Sequence, residues 1–154
     1  MTEKEKDFRH VAYYGRGRRE SQSDMSATIH HLGWAVRSIE QSRAYFETAL
    51  GLDFRGEETF PDVRVAFFGD PVSVELLEPL DDATDVGKFL ARHGEGIHHL
   101  ALKVDDVAGA LEEASRLGLM LIDQVPQAGA RGTMVGVVDP ARPDGVLIQY
   151  VQEP

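Results

Sequence analysis

The spacing of apolar residues changes several times along the chain. Ile29-His30-His31-Leu32-Gly33-Trp34-Ala35-Val36 is a short apolar run interrupted by two histidines, and it reads as a strand. After Ser38 the period lengthens. Ile39, Phe46, Ala49 and Leu50 recur at roughly helical spacing, Gln41 follows Ser38 in a capping-box pattern, and Gly51 marks the stop. Three short apolar runs follow, at about 52–57, 63–68 and 72–78. The series then starts again. Ile97-His98-His99-Leu100-Ala101-Leu102-Lys103-Val104 restates the first strand 68 residues later. A second helix begins near Asp105 or Asp106, aligns Val107, Ala110, Leu111, Ala114 and Leu117 on one stripe, and stops at Gly118. Runs at about 119–124, 133–138 and 145–151 complete the repeat. Each half therefore reads β-α-β-β-β.

Between the halves, Val86, Phe89 and Leu90 lie at helical spacing behind the potential caps Asp81, Asp82, Thr84 and Asp85. The expected organisation is a charged tail over 1–27, a first module over 28–80, a linking helix within 81–95 and a second module over 96–152. No low-complexity linker separates the modules, so one cooperative unit is expected.

Composition narrows the chemistry. The chain has 154 residues, 16 basic against 26 acidic, a formal net charge of -10 and no cysteine. Strong acidity argues against bulk nucleic-acid binding, which depends on neutralising phosphates. It leaves room for an anionic small molecule held by a local cationic pocket. The missing cysteines remove disulfides, thiolate zinc sites and a cysteine nucleophile. No apolar run approaches the roughly 20 residues that span a bilayer, and the first residues lack the apolar core of a secretory signal. A cytoplasmic protein with no membrane partner is the default expectation. Gly15-Arg16-Gly17-Arg18-Arg19 reads as a basic patch in a solvated tail.

Strand alternation sorts the polar residues. Ile29, His31, Gly33 and Ala35 are expected on one face, and Ile97, His99, Ala101 and Lys103 on its counterpart. Each histidine is thus followed on its face by a small residue, Gly33 or Ala101, which leaves space for a ligand. The last strand of each half carries one hydrogen-bonding residue inside an apolar run: Glu75 in the first, Gln149 in the second. A carboxylate buried in an apolar strand is costly unless it is paired or binds a cation. These four also read as hydrogen-bonded core or surface groups. The duplication of both members sets beside that reading, on equal terms, a site in which two pseudo-symmetric halves gather imidazole and oxygen ligands. Such a set suits a divalent ion such as Co, Mn, Ni, Zn or Fe.

The motifs resemble the vicinal oxygen chelate superfamily, and within it the methylmalonyl-CoA epimerases. The residues that carry the resemblance are His31-Leu32-Gly33 with Ala35-Val36, Tyr45-Phe46 with Leu50-Gly51-Leu52, Glu75-Leu76-Leu77-Glu78-Pro79-Leu80, Lys88-Phe89-Leu90, Gly94-Glu95-Gly96-Ile97-His98-His99, Val104-Asp105-Asp106, Leu121-Ile122-Asp123 and Gly145-Val146-Leu147-Ile148. It covers about residues 28–152. It implies an α+β fold of paired βαβββ modules, whose cupped, mostly antiparallel sheet surrounds a metal held by His31, Glu75, His99 and Gln149. It also implies proton transfer at C2 of methylmalonyl-CoA or a related acyl thioester, with Glu75 and Gln149 as catalytic positions, and a homodimer.

The sequence departs from the family pattern at three places. Gln149 stands where the epimerases have Glu, and an amide accepts no proton at neutral pH. Asp139-Pro140-Ala141-Arg142 replaces His-Pro-Lys. The glycine-rich turn Pro126-Gln127-Ala128-Gly129-Ala130-Arg131-Gly132 inserts an arginine. Arg131, Gly132 and Arg142 are therefore candidate contacts for an anionic acyl-CoA substrate. His30, His98, Glu58 and Asp62 are the remaining groups that could act as a second base. The alternatives are a metal-dependent lyase, isomerase or tailoring enzyme with another enolisable substrate, and a non-catalytic binding or resistance protein.

Overall fold

The computed structural model describes residues 26–142 and 145–154. The charged tail expected over 1–27 lies outside the described residues apart from Ser26 and Ala27. The strands form a single sheet in the order β2-β3-β4-β1-β5-β9-β8-β6. At its centre β1 (Thr28–Ala35) runs antiparallel to β5 (Gly96–Lys103). Each has a parallel outer neighbour, β4 (Ser73–Pro79) beside β1 and β9 (Leu147–Gln152) beside β5. β3 (Val63–Phe68) and β2 (Phe54–Thr59) extend one wing. β8 (Met134–Asp139) and β6 (Met120–Leu121) extend the other, and β7 (Gln127–Ala128) also pairs with β8.

Among the described residues three α-helices pack on this sheet. α1 (Ile39–Ala44) starts at Ser38, whose hydroxyl accepts from the Gln41 N–H at 3.2 Å. It was expected to run as one helix to Gly51, but it widens into a π turn over Tyr45–Ala49 before Gly51 ends it with φ 69°. α2 (Asp85–His93) is the linking helix, capped by Thr84. α3 (Val107–Arg116) starts at Asp106.

A matched contact ties each helix to its half. The Ile39 N–H donates to the Glu78 carboxylate at 2.7 Å, and the Val107 N–H donates to the Gln152 side-chain oxygen at 3.1 Å. Glu78 and Gln152 lie three residues beyond Glu75 and Gln149 on the same strands. Capping the helix therefore also fixes the strand that carries the candidate ligand.

Alternation on β3 and β4 divides the core. Ala66, Phe68 and Leu76 face α1 and pack with Ile39 and Phe46. Val65, Phe67 and Leu77 face the other side, with Phe60, Val63, Val86 and Ala130. In the second half Val107, Ala110, Leu111 and Ala114 of α3 pack on Val138 and Tyr150. Among the described residues no helix is long and apolar enough to cross a membrane.

Two expectations need correction. The run at about 119–124 shortens to Met120–Leu121, because the Asp123 carboxylate accepts the Val137 N–H at 2.8 Å and diverts the chain. The strand faces also differ. The β1·β5 register skips once between Ile29 and His31, and again between Gly33 and Trp34, where His98 is the unpaired residue. Each bulge breaks the alternation and turns the preceding isoleucine off the shared face. Ile29 and Ile97 are accordingly 54% and 38% exposed.

Candidate metal centre

Pairing across the sheet builds the site. One row runs Phe67–Glu75–Gly33–His99–Leu147 and its counterpart Ser73–His31–Ala101–Gln149–Val137. Each histidine thus stands beside the small residue of the other half. The space is used fully: a Cβ on Gly33 would lie 2.1 Å from the His99 ring.

Three side chains converge there. His31 Nε2 and His99 Nε2 lie 3.0 Å apart, and Glu75 Oε2 lies 3.2 Å from the first and 3.4 Å from the second. All three residues are buried, 5–7% exposed. Burial would raise the Glu75 carboxyl, but hydrogen bonds and charge from His31 and His99 hold it down at about 2. The triangle of donor atoms fits a centre about 2.1 Å from each, the ordinary length of a metal–imidazole or metal–carboxylate bond. Gln149 lines the same space, and its side-chain amide has no protein hydrogen-bond partner among the described residues. Two imidazoles, a carboxylate and a free amide oxygen are a donor set for a divalent ion with open positions.

Cavities of about 280 and 310 Å³ open on the two sides of this centre and share Glu75, Gly129, Ala130, Val135 and Gln149. The first is lined by His30, His31, Phe67, Arg131 and Glu153. The second is more apolar, with Phe60, Val63, Val86 and Val137 beside His98, His99 and Asp62. The turn at 129–133 stands between them. Gly129 N–H donates to the Thr133 carbonyl at 2.9 Å, and the Glu58 carboxylate accepts the Arg131 N–H at 2.8 Å. Arg131 adopts φ 57°, and its guanidinium stacks 3.8 Å over Phe67. It forms no ion pair among the described residues, so its charge is available at the mouth of the first cavity.

The candidate residues thus separate. His31, Glu75, His99, Gln149 and Arg131 meet around one space. Gly132, with φ 72°, completes the turn, while Arg142 sits in the exposed loop after β8 and lines neither cavity. Of the groups considered as second bases, His30 lines one cavity, His98 and Asp62 the other, and Glu58 is held by the Arg131 N–H. Phe67 and Glu153 escaped sequence reasoning. Phe67 looked like any core aromatic, and nothing local marks Glu153.

A profile of the Glyoxalase/Bleomycin resistance protein/Dioxygenase superfamily matches residues 30–137. The chain belongs to this superfamily. Its members typically bind a divalent metal, and here His31, Glu75 and His99 could hold one. The chain is 37% identical to the uncharacterized protein YqjC of Bacillus subtilis over 127 residues, covering 80% of this chain and 91% of YqjC. It is 29% identical to the ethylmalonyl-CoA/methylmalonyl-CoA epimerase of Cereibacter sphaeroides, covering 83% and 99%. Among solved structures, a variant of Streptomyces coelicolor methylmalonyl-CoA epimerase in complex with 2-nitronate-propionyl-CoA superposes with a TM-score of 0.75 at 26% identity, covering 82% and 94%.

Two predictions follow from the geometry. Gly33→Ala forces the His99 ring out of the triad, so zinc or cobalt affinity measured by equilibrium dialysis should fall at least about tenfold. An unchanged affinity would mean that His99 does not ligate from this position. The second concerns pH. Burial, and then His99, push the His98 imidazole down to about 4 from 6.5, against the pull of Glu75. Between those values the unfolded chain binds more protons than the native one, so the stability of chelator-treated protein should rise with pH from 4 to 6.5. His98→Asn should flatten that slope by up to about 1.4 kcal/mol per pH unit in urea melts. An equal slope in the variant would remove His98 as its source.

Proposed function

We propose that the protein is a metal-dependent enzyme that moves the proton at C2 of methylmalonyl-CoA or a closely related acyl thioester. The observation that carries this reading is the convergence of His31, Glu75 and His99 on one point between two cavities, with the unpaired Gln149 amide beside them. Likeness to epimerases at 26–29% identity supports the substrate class.

A divalent ion in this set supplies Lewis-acid polarisation of a carbonyl. The chain's own residues do the rest. Two neutral imidazoles, one carboxylate and one amide leave the centre at about +1, which favours an anionic chelating substrate. Arg131, anchored by Glu58 and stacked on Phe67, meets a carboxylate entering the first cavity. The apolar lining of the second cavity suits the less polar part of the acyl thioester. Glu75 is the carboxylate available to take the proton on one face. The homodimer implied by the resemblance belongs to this reading.

Gln149 supports a second reading. An amide cannot take the proton on the opposite face. One-sided chemistry, in an isomerase or lyase with another enolisable substrate, would use the same ligands without a second carboxylate.

Proton exchange separates the two. Metal-loaded protein in deuterated water should exchange the C2 proton of methylmalonyl-CoA and erase its chirality, and metal-free protein should do neither. Exchange with retained configuration would favour the one-sided enzyme. No exchange despite bound metal would sink the methylmalonyl assignment. Arg131→Gln should lower kcat/KM by about 10- to 100-fold, the loss expected for a charge-assisted hydrogen bond of about 1.5–3 kcal/mol. An unchanged KM and kcat would remove Arg131 from substrate binding.

A further inference from the structure

The duplicated bulge places two more imidazoles on the concave side. His30 is the extra residue between the Ile29 and His31 pairings, and His98 the extra residue between those of Ile97 and His99. In an unbroken strand each would face away from its histidine neighbour. Here His30 Nδ1 lies 2.7 Å from His31 Nδ1, and His98 Nδ1 lies 3.0 Å from His99 Nδ1. The same skip and the same contact occur in both halves. A bulge sacrifices ladder pairing, and its recurrence at both histidine pairs points to a common use.

The hydrogen-bond arithmetic identifies that use. Two ring nitrogens at these distances need one N–H and one lone pair between them. A metal on Nε2 of His31 or His99 leaves the proton of that neutral ring on Nδ1. The ligand ring must then donate, and His30 or His98 must accept at Nδ1 and carry its own proton on Nε2. His30 Nε2 lies 3.3 Å from Glu153 Oε1, an acceptor in the right place, and Lys103 holds Glu153 from the other side. Among the described residues His98 makes no ion pair. Its ring stands edge-on to Phe89, with centroids 4.9 Å apart.

We propose that His30 and His98 are positioning residues for the metal, each lifted onto the ligand face by a β-bulge to accept the Nδ1–H of the adjacent ligand histidine and so fix its tautomer and ring angle. The proposal rests on the metal-centre reading and adds to it a second pair of residues that act on the metal through the ligand histidines.

The test uses zinc as the probe and does not depend on turnover. Long-range proton–nitrogen NMR spectra of the zinc-loaded full chain should show His31 and His99 as Nδ1–H tautomers, and His30 and His98 as Nε2–H tautomers. In chelator competition, His30→Phe and His98→Phe should each weaken zinc binding by about 10- to 100-fold. His30→Asn and His98→Asn keep an acceptor and should recover most of that loss. The melting temperature of metal-free protein reports folding separately. Nδ1–H tautomers at His30 and His98 would overturn the proposal, as would zinc affinities of both Phe variants within twofold of the parent. If a Phe variant fails to fold, the spectra of the parent protein still decide. A parent protein that takes up no zinc would fail the metal-centre reading, and this inference with it. Zinc uptake with the wrong tautomers fails this inference alone.

Discussion

A buried carboxylate held between two imidazoles is the constraint around which the sheet is arranged. Placing an ion such as Glu75 in a strand flanked by Phe67, Leu77 and Val65 costs several kcal/mol unless it is well compensated. The compensation comes from His31 and His99, which belong to different halves of the chain. It is available only in one register of β1 against β5. A slip of one residue would put the two histidines on opposite faces of the sheet, and any side chain at Gly33 would meet the His99 ring. The central register, the small residues and the buried charge therefore depend on one another. Removing either histidine alone leaves the carboxylate partly unpaired, the circumstance in which loss of one partner costs about 3–5 kcal/mol.

Duplication supplies the rest of the frame and shows where the two halves have diverged. Glu78 caps α1 and Gln152 caps α3 in the same way, so both site-bearing strands are anchored three residues beyond their polar positions. The halves differ in charge: carboxylate in the first, amide in the second, at 75 and 78 against 149 and 152. The helix caps tolerate this, because an N–H needs only an oxygen acceptor. A metal bound by this set would not treat the two alike, because an amide neither balances an ion's charge nor accepts a proton. A difference that is nearly silent for folding would thus be decisive for the proposed chemistry.

Most of the architecture was legible in the sequence because periodicity and repeat report burial directly. Both modules, the linking helix and the four candidate ligands follow from positions of apolar residues and from the recurrence of His-His. The errors lie where a local hydrogen bond overrides the pattern. Asp123 ends a strand that its apolar residues would continue, and the π turn at Tyr45–Ala49 replaces regular helix. The bulges at His30 and His98 are the most consequential. Strict alternation assigns Ile29 and Ile97 to the ligand face, whereas the register skip exchanges them for histidines. A bulge adds no residue type that a pattern can detect, so only the pairing reveals it. The contacts of Glu58 and Phe67 with Arg131 were hidden for another reason. They act on Arg131 from another part of the chain, 73 residues away in the case of Glu58.

The surroundings of the centre also bear on what the amide at 149 means. Gln149 lies on the concave face, shared by both cavities and without a protein partner among the described residues. Beside it the turn carrying Arg131 is held by Glu58 and the Arg131 guanidinium stacks on Phe67, so a positive charge lines the cavity that the uncharged amide also lines. An uncharged amide in the ligand set and a cation at the cavity mouth act in the same direction: on the proposed reading both would strengthen the pull on an anionic, chelating substrate. On the proposed reading, Gln149 and Arg131 therefore act together: the amide keeps the charge of a bound metal less compensated, Arg131 adds a cation beside it, and neither supplies a proton acceptor.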